Sequence, residues 1–181
     1  MVNHAKQRLR EIARALRAEH HDDPPRDALA PLLLRSEFHS AKTVALYLPL
    51  HGEPDTVAVC AHCHATQKTL AVPAWDSATR AYAFYELRPA APLAESRFGV
   101  REPLEKIPVP TASIDLFLVP ALLFDVAGSR LGHGKGFYDR LLAPRRADAL
   151  VWGLAFDWQI TPEPLPCEPH DIRMNSLVTL F

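Results

Sequence analysis

A chain of 181 residues is long enough for one well-buried core and short for two, so a single domain over 1–181 is expected. Its 20 Lys and Arg nearly cancel 21 Asp and Glu, which leaves no global field to hold nucleic acid or an anionic membrane, and any anion site must be local. The start, Met-Val-Asn-His-Ala-Lys-Gln-Arg, lacks the apolar run of a signal peptide, and no stretch approaches the roughly 20 apolar residues of a membrane span, so a cytoplasmic location is expected.

In chain order, residues 4–19 place Ala5, Leu9, Ile12 and Leu16 at helical spacing, with Lys6, Arg10, Arg14 and Arg17 on another face. Asp22-Asp23-Pro24-Pro25 supplies a break, an N-cap and a first-turn proline for a second helix to about His39. Thr43 to Leu48 reads as a short buried strand ending at Pro49. His51-Gly52-Glu53-Pro54-Asp55 then turns into a third helix that runs to about Gln67. Leu70 to Pro73, Ala81 to Leu87, Leu116 to Val119 and Val151 to Phe156 are further strands, and a helix from about Lys135 to Leu142 separates the last two. Strands alternating with helices predict an α/β fold whose mostly parallel sheet is covered on both faces. Ligands in such sheets sit beyond the carboxyl ends of the strands, where 48–53 and 120–136 are expected to meet.

Seventeen prolines stand against seven glycines, and four of the seven fall between 128 and 136, so the glycines of that segment carry information. Gly132, Gly134 and Gly136 alternate in Arg130-Leu-Gly-His-Gly-Lys-Gly-Phe-Tyr-Asp139, a pattern that lets the backbone take positive φ and turn N–H groups toward an anion. A helix start just beyond adds positive potential, and Arg130 and Lys135 supply full charges. The segment is neither a P-loop, since Gly136 rather than Ser or Thr follows Lys135, nor a dinucleotide fingerprint, since its spacing is G-x-G-x-G. Taken alone, the triplet is equally a tight strand-to-helix turn.

Its surroundings are more specific. Pro120, Phe124-Asp125, Gly128 and Arg130 to Arg140, together with Lys6-x-x-Leu9-Arg10, Tyr47-x-Pro49-x-x-x-Glu53-x-Asp55-Thr56, Phe98-Gly99-Val100-x-Glu102-Pro103, Gln159 and His170-Asp171, occur in an order that resembles the 5-formyltetrahydrofolate cyclo-ligase family over nearly the whole chain. The resemblance implies a three-layer α/β/α, CoA-transferase-like domain. It implies ATP-dependent closure of 5-formyltetrahydrofolate, plain or polyglutamylated, to 5,10-methenyltetrahydrofolate, with Mg²⁺ required and no nucleic acid or membrane partner, in a protein expected to be a monomer. It further implies that ATP is met by Lys6, Arg10 and Arg130, Leu131, Gly132, His133, Gly134, Lys135, Gly136, Phe137 and Tyr138. Folate is met by Leu48, Glu53 and the His133 to Phe137 stretch, and magnesium by Asp139 and Asp171. Lys135 and Arg130 are expected to carry the catalytic charge neutralisation.

Each residue also has a plain alternative. Lys6 and Arg10 could form an ordinary solvated basic face, the reading kept for Arg14 and Arg17. Asp139 could be a surface helix residue, Asp171 a turn residue, Leu48 a core leucine and Glu53 a turn carboxylate. A sugar-phosphate isomerase, a CoA-transferase-like enzyme or a degenerate nucleotide- or folate-binding sensor could use a glycine loop too, but such rivals leave Lys6, Arg10 and Asp139 together unexplained. Two departures stand out: His133 occupies a place where many family members carry a larger or permanently charged residue, and Asn175 one that is often acidic. Finally, Cys60-Ala-His-Cys63-His64 reads as a haem-attachment motif without an export signal and as metal ligands whose second pair would be only Cys167 with His170, so buried or half-exposed thiols are expected in this segment and reduced thiols at all three cysteines.

Overall fold

A computed structural model of the chain describes residues 2–20, 26–96 and 99–181. The expected cap and proline at 22–25 and the aromatic Phe98 lie outside the described residues. The helices are α1 (Val2–Glu19), α2 (Leu29–Leu33), α3 (Ser36–Ser40), α4 (Val57–Ala65) and α5 (Phe137–Leu142). The strands are β1 (Thr43–Ala45), β2 (Thr69–Asp76), β3 (Ala81–Glu86), β4 (Leu93–Glu95), β5 (Arg101–Pro103), β6 (Leu116–Val119), β7 (Leu123–Asp125), β8 (Arg130–Leu131), β9 (Leu150–Phe156), β10 (Ile160–Thr161) and β11 (Ser176–Leu180).

Six strands form the central sheet in the order β11-β9-β6-β1-β2-β3, parallel throughout except for the antiparallel edge pair β2–β3. Period-two alternation sends Leu116, Leu118, Trp152 and Leu154 to one face, where they pack with Leu32, Phe38, Val59 and Cys63 from α2, α3 and α4. Phe117, Val119, Val151 and Ala155 pack on the other face with Leu141 and Leu142 of α5 and with Phe124. The layers are those of the expected α/β fold. The second helix divides into α2 and α3, and β1 is shorter than expected, although Leu46 N still donates to Ala71 O at 3.0 Å.

Two smaller sheets escape sequence periodicity because their strands are too short to show any: β10-β7-β8 and the β4–β5 hairpin. The first of them carries the site. Leu122, Leu123, Leu131 and Leu165 pack beneath it against Ala13 and Leu9 of α1. This docking corrects the expected orientation of α1, since Ala5 and Ile12 are exposed while Lys6 and Ala13 are buried. Side chains at 6, 9, 10, 13 and 17 share the inward face at spacings of three and four, where Lys6 and Arg17 meet carboxylates and Arg10 donates to the Gly132 carbonyl. Among the described residues no helix is long and apolar enough to cross a membrane.

Candidate active site

The carboxyl ends of β1 and β6 open into a cleft of about 440 Å³ lined from widely separated stretches of chain. Lys6 and Arg10 come from α1, Leu48 and Glu53 from the turn after β1, Tyr82 from β3, Arg130 to Asp139 from the loop into α5, and Glu168, His170 and Asp171 from the tail. Every residue expected at the site lines this one cleft.

The turn after β1 is built to hold a carboxylate. Thr56 Oγ1 donates to Tyr47 O at 2.7 Å, Tyr47 OH donates to Pro54 O at 3.0 Å, and Leu50 N donates to Glu53 Oε2 at 3.0 Å. Glu53 is thereby fixed at the cleft wall with its side chain only 7% exposed. Burial raises its pKa above the ordinary carboxylate value, against the lowering pull of the Leu50 N–H and of Arg17. Leu48 is both a core residue and part of the wall, so its two readings coexist.

The glycine loop is positioned from below. Buried Asp125 accepts from Ala127 N, Ser129 N and Leu165 N at 3.0, 2.7 and 2.9 Å, which ties the β7–β8 turn to the segment before the tail. Burial raises the Asp125 pKa, but these hydrogen bonds outweigh it and hold the group below its ordinary value. Gln159 donates to Ala121 O at 2.8 Å and accepts from Phe156 N at 2.9 Å, pinning the exit of β6 to the end of β9. Gly134 and Gly136 do adopt positive φ, +98° and +59°, whereas Gly132 does not, which corrects the expected triplet to a pair. A Cβ on Gly134 would lie 3.0 Å from Cζ of Arg10, whose Nε donates to Gly132 O at 3.0 Å. A Gly134→Ala variant should therefore lose about 1–2 kcal/mol of stability to backbone strain. By displacing Arg10 it should also raise the KM for ATP, which thermal melts and steady-state kinetics would read separately. Since α5 has only six residues, its dipole adds less positive potential than the sequence suggests, and side-chain cations carry the field.

Those cations are held by the carboxylates expected to bind metal. Lys6 Nζ stands 2.6 Å from Asp171 Oδ2 and 3.0 Å from Glu168 Oε2, with its side chain 6% exposed. Burial pulls the Lys6 pKa down, but the hydrogen bonds and charges of Asp171 and Glu168 outweigh it and leave it raised. Burial likewise pushes Asp171 up, while Lys6 and the Glu168 N–H bring it below its ordinary value. The Asp171 contribution to stability is thus present above the usual carboxylate range and lost as pH falls through the depressed value. Arg130 Nη2 donates to Asp139 Oδ1 at 2.8 Å and its guanidinium lies 5.3 Å over the Tyr138 ring, while its Nε is buried without a hydrogen-bond partner among the described residues. Asp139 also accepts from Ile172 N at 3.4 Å, which sets it beside Asp171. Burial raises the Tyr138 phenol far above its ordinary range. Desolvation, then the charges of Arg17, Arg14, Arg10 and Arg130, lower the His133 pKa and favour the neutral imidazole over a fixed charge.

Sequence reasoning missed Glu168, Tyr82 and the burial of Arg17. Only Arg17 had left a signal, as the continuation of the 6-10-14 stripe. Asn175 accepts from Val151 N at 2.7 Å and so serves β9 instead of the cleft. Cys63 is fully buried, and burial pushes Cys60 up to about 12 and Cys63 up to about 11, while His64 is hydrogen-bonded to Leu87 O at 2.7 Å. Cys60, Cys63 and His64 thus sit in α4 with raised thiol pKa values and a backbone-bonded imidazole.

A model of the 5-formyltetrahydrofolate cyclo-ligase family matches residues 3–180. The chain belongs to this family. It is 34% identical over 146 residues to the 5-formyltetrahydrofolate cyclo-ligase of Mycolicibacterium smegmatis, covering 77% of this chain and 74% of that one. With the Escherichia coli K12 enzyme of the same name it shares 29% over 175 residues, 94% and 96% of the two chains. The NMR structure of Aquifex aeolicus 5,10-methenyltetrahydrofolate synthetase superposes with a TM-score of 0.81 at 32% identity, covering 96% of this chain and 89% of that one. The 5,10-methenyltetrahydrofolate synthetase of Mycoplasma pneumoniae, at 21% identity and a TM-score of 0.67 over 97% and 96% of the two chains, shares the fold.

Proposed function

We propose that the chain closes 5-formyltetrahydrofolate to 5,10-methenyltetrahydrofolate at the expense of ATP, releasing ADP and phosphate, as an enzyme of one-carbon folate metabolism. The observation that carries this reading is convergence: cations from α1 and from the glycine loop, a buried carboxylate from the turn after β1 and acidic groups of the tail all line one cleft.

The formyl oxygen is a poor leaving group until a phosphoryl group is placed on it. Once it is phosphorylated, N10 attacks the formyl carbon, the ring closes with loss of the N10 proton, and phosphate departs. Such a sequence asks the protein for positioning and charge neutralisation, with no covalent intermediate on a side chain. Lys135 and Arg130 would neutralise the transferring phosphoryl group, with Lys6 and Arg10 on the rest of the triphosphate and the 131–138 backbone as its floor. Glu53 would accept from pterin N–H groups, and Leu48 and the 133–137 stretch would bear against the ring. Neutral His133 fits a contact to the folate better than a contact to phosphate.

The donor set also fits magnesium. Asp139 and Asp171 offer hard carboxylate oxygens beside the phosphate-directed cations, and Glu168, His170 and Asp171 bring their ligand atoms within 4.8 Å of one another. Asp139 and Asp171 would hold the ion, which supplies further neutralisation of phosphate charge. On this reading Lys6 and Arg130 exchange part of their carboxylate pairing for phosphate when MgATP enters. The proposal includes one domain over 1–181, acting as a monomer in the cytoplasm on plain or polyglutamylated folate. Its test is formation of the methenyl chromophore from 5-formyltetrahydrofolate, dependent on both ATP and Mg²⁺.

A further inference from the structure

Arg17 does not line the cleft, yet it is built into the wall behind it. Its aliphatic stem lies along Gly52, where a Cβ would stand 3.1 Å from Arg17 Cγ and 3.2 Å from Cδ. Gly52 itself has φ +75°, so glycine at this point serves both the turn and the seat of the arginine. The guanidinium Nη2 is 3.6 Å from Glu53 Oε1, with side chains 18% and 7% exposed. Nε and Nη2 are buried and have no hydrogen-bond partner among the described residues. With Nη2 slightly more than bonding distance from a buried carboxylate oxygen, the two form an ion pair that a shift of well under 1 Å would turn into a charge-assisted hydrogen bond. The other Glu53 oxygen is already taken by Leu50 N at 3.0 Å, so Oε1 is the atom whose direction the arginine sets.

We propose that Arg17 is a positioning residue for folate: it keeps Glu53 ionised and aimed into the cleft as the acceptor for N–H donors of the bicyclic ring. This rests on the cyclo-ligase reading for the identity of the ligand but not for the pairing itself. The groups facing Glu53 are Arg17 from α1, Tyr47 from the segment after β1 and Tyr138 from α5. Desolvation raises both phenols and keeps them neutral, so Arg17 is the one full positive charge among these groups. Without it, desolvation of the carboxylate goes unopposed except by the Leu50 N–H, and Glu53 takes up its proton nearer neutral pH.

The experiment compares Arg17→Met, Arg17→Lys, Glu53→Gln and the Met/Gln double variant with the wild-type chain. Arg17→Met should raise the KM for 5-formyltetrahydrofolate by about tenfold, the scale of a hydrogen bond to a charged group, with the KM for ATP changed less than about twofold. The loss should shrink as pH rises, because the protonated carboxyl ionises again, and Arg17→Lys should recover part of it. In the Glu53→Gln background Arg17→Met should add little. A folate KM unchanged by Arg17→Met, a pH-independent loss, or full additivity with Glu53→Gln would overturn the proposal. Carbon-13 NMR titration of the Glu53 carboxyl reads the pairing without any turnover. The midpoint should move up in Arg17→Met, and an unmoved midpoint refutes Arg17 even if the enzyme works. Wild-type protein that does not turn over instead refutes the assigned reaction and leaves this titration to judge the pair.

Discussion

Replacing Lys135 with alanine is expected to lower the cyclo-ligase kcat by about 10²- to 10³-fold, on the scale of removing one preorganised group that meets charge developing in the transition state, roughly 3–4 kcal/mol. Lys135 sits between Gly134 and Gly136, exposed on the cleft lining, where the backbone is shaped by the positive φ of its two neighbours and not by packing of its own side chain. The fold should consequently be almost indifferent, with a stability change within about 0.5 kcal/mol. The distinguishing result is the combination: an unmoved melting temperature, a near-normal KM for folate and a collapsed kcat. A variant that turned over at the wild-type rate would reduce the loop to a turn.

Arg130→Ala should fail differently, losing both activity and fold. Arg130 is 7% exposed, bonded to Asp139 at 2.8 Å and stacked over Tyr138. Removing it strands a largely buried carboxylate, a cost of about 3–5 kcal/mol, a large fraction of a typical domain's stability. Activity should fall by at least as much as in Lys135→Ala, because the same guanidinium supplies phosphate-directed charge and orients Asp139. Arg130→Lys should rescue stability poorly, since an ammonium has neither the planar fork nor the stacking face. Chemical denaturation of the three proteins, read beside kcat, separates the two roles. Equal stability of Arg130→Ala and wild type would mean that the Asp139 pair carries no weight in the fold.

The sequence was informative wherever one residue type solves one local problem. Strands β1, β2, β3, β6 and β9 announced themselves through apolar runs, and the loop between β8 and α5 through glycine spacing and flanking charge. Gly134 and Gly136 take the conformation that the pattern requires, while Gly132 does not, because a repeat of glycines states permission and not use. What stayed hidden depended on tertiary partners. The basic side of α1 looks like a solvated face until Glu168, Asp171 and Glu53, far away in sequence, turn Lys6 and Arg17 inward. Glu168 gave no signal of its own, being one acid among prolines. Strands of two or three residues such as β8 and β10 carry no period to read. Asp125 and Gln159, which entered only as parts of the family motif, act one step back by holding the loop that lines the cleft.

The most direct measurement is the absorbance of the product. Purified protein mixed with 5-formyltetrahydrofolate, ATP and Mg²⁺ should develop the methenyl chromophore with one ADP and one phosphate released per molecule formed, and chelation of the metal or omission of ATP should abolish it. Folded protein that produced no chromophore under these conditions, or produced it without ATP, would contradict the account.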